Sequence, residues 1–348
     1  MYSDQFEKLC KELESIIAHW QVNARMRGIL SRVENSLELS PLEHDLYDLK
    51  QSSPLAMEWR VMDHCSAIAR LYAVYEHYCE SILHDWLHFL TSRKTFDELP
   101  DKIVRDYPKG FSYIIGLLPS SRYDQLSVED MVAGYNAALA CNPQYNLVGE
   151  CLTRHRMNLR WEELSEIYQR FGISNVADWI SKDAEVIDFF ATAGQRTTEQ
   201  ISAKLAELVQ YRNDASHGAV SVDEILGQQQ FLEFAHFIRI ICSSLNNLHH
   251  SYALELLLEI GEAKKVGTVA ERFRDNIVIC KMDSGTVFKG QKVSFLADRY
   301  CVERRIMSMQ VNGVEVQAMS FIGEMELGIK LDQPITRKKA ALLTNSAW

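Results

Sequence analysis

Proline and glycine are scarce in this chain of 348 residues, at 7 and 16. With 47 % hydrophobic residues, that scarcity excludes a disordered or collagen-like polymer. No stretch reaches the eighteen or so consecutive apolar residues that a membrane-spanning helix needs. The start, "MYSDQFEKLCKELESII", lacks the apolar core and cleavage site of a secretory signal. A cytoplasmic protein with no membrane partner is the expectation. Eight cysteines are present (Cys10, Cys65, Cys79, Cys141, Cys151, Cys242, Cys280 and Cys301). No two are separated by only two residues, so a zinc knuckle and a dithiol redox motif are both absent. No acidic cluster has metal-ligand spacing, and no G-x4-G-K-[ST] loop occurs, so neither a metal, a nucleotide nor any other cofactor is expected. The pair His249-His250 has no third ligand in view and reads as core or surface histidine.

What is present is unevenly distributed. The net charge is −10, against a protein that coats nucleic acid generally. Residues 262–348, however, carry 14 Lys plus Arg against 10 Asp plus Glu, a net of +4, which leaves −14 for residues 1–261. Residues 1–261 read as successive helices. "FEKLCKELESIIAHW" places Phe6, Leu9, Cys10, Leu13, Ile16, Ile17 and Trp20 on one helical stripe. "DHCSAIARLYAVYEHYCESILHDWLHFL" is apolar around much of its circumference, as a helix central to a bundle should be. "YPKG", "LLPSS" and "CNPQYN" predict an irregular insertion with short helices over 104–150. Gly172 ends the helix of "NLRWEELSEIYQRFGIS", and Thr197 or Thr198 is placed to cap the helix that follows. The segment from "GQQQFLEF" to "LEIGEA" reads as one long helix or two that break near "SSLNN". After Gly261 the period changes to two, with Asn312-Gly313 as a hairpin turn. The expected architecture is therefore α then β: a helical bundle over 1–261 and a small antiparallel β-barrel of about six strands over 262–348.

"YRNDASHG", residues 211–218, closes a helix. Gly218 suits the left-handed position at a helix end, and His217 suits the negative pole of the helix dipole. An arginine and a histidine are also sufficient chemistry for cleaving RNA without a metal. Arginine binds phosphate oxygens, while histidine exchanges protons near neutral pH. Five positions apart on a helix, the two lie about 140° from one another. They converge on one phosphate near a helix end, or when two copies meet across a two-fold axis.

"RNDASHG" resembles the R-x4-H signature of HEPN-domain ribonucleases. "LYAVYEHYCESIL", with its Tyr75-Glu76 pair, resembles the first core helix of HEPN proteins from bacterial defence and toxin loci. "NLRWEELSEIYQRFGIS" resembles the helix that precedes the R-x4-H helix in one such group. The resemblance covers roughly residues 1–255. It implies a homodimeric helical bundle that cleaves single-stranded RNA to a 2′,3′-cyclic phosphate. It also implies roles by position: Arg212 on the phosphate, His217 as acid and base, Asn213 hydrogen-bonding at the site and Glu76 beside Arg212. Where toxin–antitoxin HEPN pairs carry a modifiable tyrosine two residues after the histidine, this chain has Ala219. The bland alternatives are a helix cap for His217, a solvated charge for Arg212, a salt-bridge partner for Glu76 and helix-ending residues for Asn213 and Asp214.

"GTVAERF…TVFKGQKVSF…RRIMSMQVNGVEVQAM…MELGIKL" resembles the second domain of translational GTPases, carried by Gly267, Phe288, Gly290, Val293, Ile306, Ser308, Gln310 and Gly328. That resemblance implies a barrel that meets tRNA or a protein partner. "LTRHRMNLR" (Arg154, His155, Arg156 and Arg160) is a basic cluster in an acidic domain; the candidate RNA contacts are Arg154, Arg156 and Arg160 there, and Lys289, Lys292, Arg304 and Arg305 in the barrel. The functional expectation is a metal-independent endoribonuclease for defence or growth arrest, acting on tRNA or other RNA and restrained by an inhibitory or sensor partner protein. The competing expectations are a non-catalytic scaffold and a nuclease gated by a ligand or partner.

Overall fold

The computed structural model describes residues 2–33, 40–118, 123–155, 157–191, 194–218, 220–221, 224–273 and 276–345. Helices occupy the first three quarters of the chain: α1 (Tyr2–Leu30), α2 (Pro41–Ser52), α3 (Ala56–Thr91), α4 (Asp101–Leu117), α5 (Val128–Leu139), α6 (Glu150–Thr153), α7 (Trp161–Arg170), α8 (Val176–Ile180), α9 (Ala184–Phe190), α10 (Gln195–His217) and α11 (Gln228–Glu259). Seven strands follow: β1 (Ala263–Arg272), β2 (Ile277–Phe288), β3 (Lys292–Ala297), β4 (Tyr300–Val311), β5 (Val314–Val316), β6 (Ala318–Leu331) and β7 (Ala341–Asn345).

The chain forms two compact units, one of residues 1–177 with 185–243, the other of 178–184 with 244–348. The division passes through α11, which runs unbroken across "SSLNN".

α3 is the axis of the first unit. Its 36 residues bury side chains on nearly every face, from His64 and Ile68 through Tyr72, Tyr75 and Cys79 to Trp86 and Leu90. A helix so enclosed must find partners for its polar atoms, and two of its buried donors reach backbone carbonyls. The Tyr78 hydroxyl donates to the Cys242 carbonyl at 3.0 Å, and the Trp86 Nε1 donates to the Phe171 carbonyl at 3.2 Å. α10 lies on α3 through Ile201, Leu205, Leu208 and Val209, all fully buried at helical spacing. The stretch expected to be irregular is more regular than its Pro and Gly suggest. α4 runs 17 residues with Pro108 inside it, and α5 is capped by Ser127, whose hydroxyl accepts from the Asp130 N–H at 3.2 Å. α10 begins earlier than its threonines indicate: Gly194 is its N-cap, and Thr197 and Thr198 lie within its first turn.

In the second unit the strands follow the order β3-β7-β1-β2-β6-β4, and β3 also pairs with β4, closing a six-stranded antiparallel barrel. β5 is a short arm on β4. The connecting turn is Asn312-Gly313, with both residues at positive φ (50° and 81°), the backbone a two-residue hairpin requires. Val269, Cys280, Met282, Phe295, Ile306, Leu327 and Leu342 fill the interior.

Candidate functional site

The site assembles from three parts of the first unit. α10 supplies Arg212, Asn213 and His217; α3 supplies Tyr72, Glu76 and Glu80; the stretch between α6 and α7 supplies His155, Asn158 and Leu159. Tyr72, Glu76 and Glu80 recur every four residues, which puts all three on one stripe of α3. Asn213 and Arg212 stand at the end of α10 that faces this stripe.

Tyr72 is the hub. Its side chain is buried, its hydroxyl donates to Glu76 Oε1 at 2.7 Å, and the same oxygen accepts from the Leu159 N–H at 2.7 Å. The Arg212 guanidinium lies over its ring, 5.4 Å from the centroid, where the negative face of the ring attracts a cation. Burial, reinforced by the charge of Glu76, holds the Tyr72 phenol well above its ordinary range, so it stays a neutral donor. Asn213 is the second junction. Its Oδ1 accepts from Asn158 Nδ2 at 2.8 Å and from Arg212 Nη1 at 3.2 Å. Arg212 is thereby held by a ring beneath it and an amide beside it, and is half-buried.

His155 was legible in the sequence only as a member of a basic cluster. In the fold its side chain is 5 % exposed, with Nε2 at 3.2 Å from Glu80 Oε1 and 3.8 Å from Glu76 Oε1. Its Nδ1 lies 2.6 Å from the Met157 carbonyl. The hydrogen bond to Glu80 raises its pKa against the opposing effect of burial.

His217 is the last residue of α10 and is exposed, with no side-chain partner among the described residues. Gly218 takes φ +66° and its N–H closes the helix on the Asp214 carbonyl. Arg212 and His217 therefore point to different sides of one helix end. Glu76, Asn213 and Arg212 are brought together around Tyr72, and among the described residues no contact joins His217 to them.

The other basic candidates are placed as follows. Arg154 is half-buried and donates from Nη1 to the Cys151 carbonyl, and its own carbonyl accepts from Arg170 Nη1 at 2.7 Å. Arg160 is exposed at the N-cap of α7. Arg156 and Ala219 lie outside the described residues. In the barrel, Lys289 pairs with Glu315 at 3.5 Å and Lys292 with Glu303 at 2.8 Å. Arg304 donates to the carbonyls of Glu303 and Pro334, at 2.7 Å and 3.2 Å. Arg305 is exposed and stands opposite Lys292 across β3 and β4. Half of that barrel set is thus charge-compensated by neighbouring acids. Among the described residues no group of three His, Cys, Asp or Glu is placed to hold a metal ion, and no helix is long and apolar enough to cross a membrane.

No curated protein matches the chain. Two structures of the C-terminal domain of a Geobacillus thermoleovorans protein described as a U32 peptidase are similar over a short stretch. One, the selenomethionine variant, is 14 % identical and covers 24 % of this chain and 99 % of its own, at a TM-score of 0.21. The other is 14 % identical and covers 23 % and 90 %, at a TM-score of 0.20. The model of the MAE_28990-like HEPN family matches residues 23–255, a span that contains α3, the 155–159 stretch, α10 and every residue of the cluster around Arg212. The chain belongs to this HEPN family.

Proposed function

We propose that the protein is a metal-independent endoribonuclease whose working form is a homodimer. The observation that carries this reading is the anchoring of Arg212 by the Tyr72 ring and the Asn213 amide, beside an exposed His217 on the same helix end. A scaffold protein has no use for a cation preorganised by a buried ring and a half-buried amide. Preorganised charge is what a phosphorane transition state requires.

In the proposed reaction the ribose 2′-oxygen attacks the adjacent phosphorus and gives up its proton, and the bond from phosphorus to the 5′-oxygen breaks. The departing 5′-oxygen takes up a proton, leaving a 2′,3′-cyclic phosphate. His217 moves these protons, and Arg212 neutralises the charge that gathers on the non-bridging oxygens. Asn213 and Glu76 hold Arg212 in place, Asn213 directly and Glu76 through Tyr72. Because Arg212 and His217 diverge by about 140° on one helix, a second copy brought across a two-fold axis completes the site. Defence or growth arrest, with tRNA among the substrates, is the cellular role this chemistry suits, under the restraint of a partner protein. The divergence of the pair within one chain favours a second reading of the same chemistry, a nuclease gated by whatever aligns the two copies.

The test is cleavage of tRNA and of unstructured RNA by purified protein in excess EDTA, alongside His217→Ala and Arg212→Ala. Loss of an acid/base group lowers the rate by about 10²–10⁴-fold. Products ending in a cyclic phosphate, lost in both variants, establish the reading. Cleavage that survives either substitution overturns it.

A further inference from the structure

Both ring nitrogens of His155 face atoms that only accept hydrogen bonds. Nδ1 meets the Met157 carbonyl at 2.6 Å, and Nε2 meets the Glu80 carboxylate at 3.2 Å. A carbonyl oxygen and an ionised carboxylate have no proton to give, so both nitrogens must donate. A neutral imidazole has one N–H and can satisfy only one of them. The geometry is thus complementary to the imidazolium.

The two bonds join different pieces of structure. The bond to Met157 folds the segment back on itself, and the bond to Glu80 ties it to α3. The next two residues then reach the site: Asn158 donates to Asn213 at 2.8 Å, and the Leu159 N–H donates to the Tyr72 hydroxyl at 2.7 Å. Asn213 and Tyr72 are the two groups that hold Arg212. We propose that His155 is a positioning residue, an imidazolium clamp that fastens residues 157–159 to α3 and through Asn158 and Leu159 fixes where Arg212 points. At 5 % side-chain exposure it is too enclosed to touch an RNA substrate itself.

The charged groups around His155 are consistent with this. From α3 come Glu80 and, farther off at 3.8 Å, Glu76. On its own segment, Arg154 turns its fork to the Cys151 carbonyl. From α10, Arg212 is directed to the Tyr72 ring and Asn213. The two acids raise the pKa of His155 above its ordinary value. A raised value means that the clamp is complete below about pH 6.5, the unfolded value, and is released as the pH rises through the folded one.

This inference rests on the nuclease reading for its consequence but not for its structural content, so it is tested in two arms. In the first, protein labelled with 13C-histidine and 15N-asparagine is titrated by NMR without RNA, and His155 is assigned by the signal that vanishes in His155→Gln. The expected result is a His155 midpoint above 6.5, with the Asn213 side-chain amide shifting at the same midpoint. Both shifts should move to lower pH in Glu80→Gln. A His155 midpoint at or below 6.5, or an Asn213 signal indifferent to it, overturns the clamp. In the second arm, cleavage is followed from pH 5.5 to 9. His155→Gln should lower kcat by about 10- to 100-fold, the cost of a misplaced catalytic group, with KM little changed. His155→Lys, which keeps a positive charge throughout, should regain much of that rate and hold it to higher pH than the wild type. Unchanged cleavage in His155→Gln with an unchanged pH profile overturns the clamp and leaves the nuclease standing. If nothing cleaves RNA, the nuclease falls and the NMR arm alone decides the clamp.

Discussion

Tyr72 concentrates three demands in one side chain: a ring for Arg212, a donor for Glu76 and an acceptor for the Leu159 N–H. Tyr72→Phe keeps the ring and removes the oxygen. Leu159 is 1 % exposed, so its N–H is left buried without a partner. Such a loss costs about 1–3 kcal/mol, measurable as a lower urea midpoint with an unchanged slope. A second residue-scale prediction concerns the barrel unit. Burial depresses the pKa of His249 to about 3 and of His250 to about 4. Both are neutral in the fold, and His250 Nε2 lies 3.1 Å from the Ser294 hydroxyl. The unfolded chain takes up protons below about pH 6.5 that the fold refuses, so stability is full above that pH and falls as the pH drops towards the folded values. At pH 5 the loss should be roughly 2 kcal/mol for each histidine. Thermal melts at pH 7.5 and 5 check this, and His250→Gln should remove about half of the difference. His155 titrates in the opposite sense, losing its contribution as the pH rises.

Among the elements, α6 is only four residues long, yet it sets the level at which His155 and Asn158 meet α3 and α10. Its seat is α4. A Cβ on Gly110 would stand 1.7 Å from the Cys151 carbonyl oxygen, so α4 can approach α6 only because that atom is missing. Gly110→Ala must push the two apart, at a cost of about 1–3 kcal/mol, as for other overpacked sites. It should also lower any RNA cleavage out of proportion to the loss of stability, since His155 directly follows the C-cap of α6. A midpoint within error of the wild type would show that the close approach is dispensable. The elements were largely readable from periodicity. The long α3, the end of α7, the helix closing at Gly218 and the Asn312-Gly313 hairpin rest on residues adjacent in sequence, where local sterics and hydrogen bonding decide. Short helices were expected within 104–150, but not that α4 would run through Pro108, which packing tolerates there in a way local pattern does not report.

For the whole molecule, the separation of Arg212 from His217 makes a sharp prediction. Neither Arg212→Ala nor His217→Ala should cleave alone. Mixed, unfolded and refolded together, about half of the dimers should be heterodimers holding one intact composite site, giving about a quarter of wild-type activity. Sedimentation should give twice the 40.0 kDa chain mass. No recovery on mixing, with heterodimers demonstrably formed, would place the whole site within one chain.

Taken alone, the sequence determined the order of elements and the place of the R-x4-H motif at a helix end. Side-chain periodicity is a local property, and the R-x4-H spacing sits within one helix end. It also contained a trace of the rest: Tyr72, Glu76 and Glu80 form a polar stripe at four-residue spacing on α3. What it did not disclose is the partner of that stripe. His155 stands 75 residues from Glu80, Asn158 stands 55 from Asn213, and Leu159 stands 87 from Tyr72. Contacts over such separations depend on the closure of long loops and on the burial that offsets its entropy. Only the packed bundle therefore decided that a histidine read as one cation in a basic cluster would be set against two acids of α3, or that Arg212 would rest on a tyrosine.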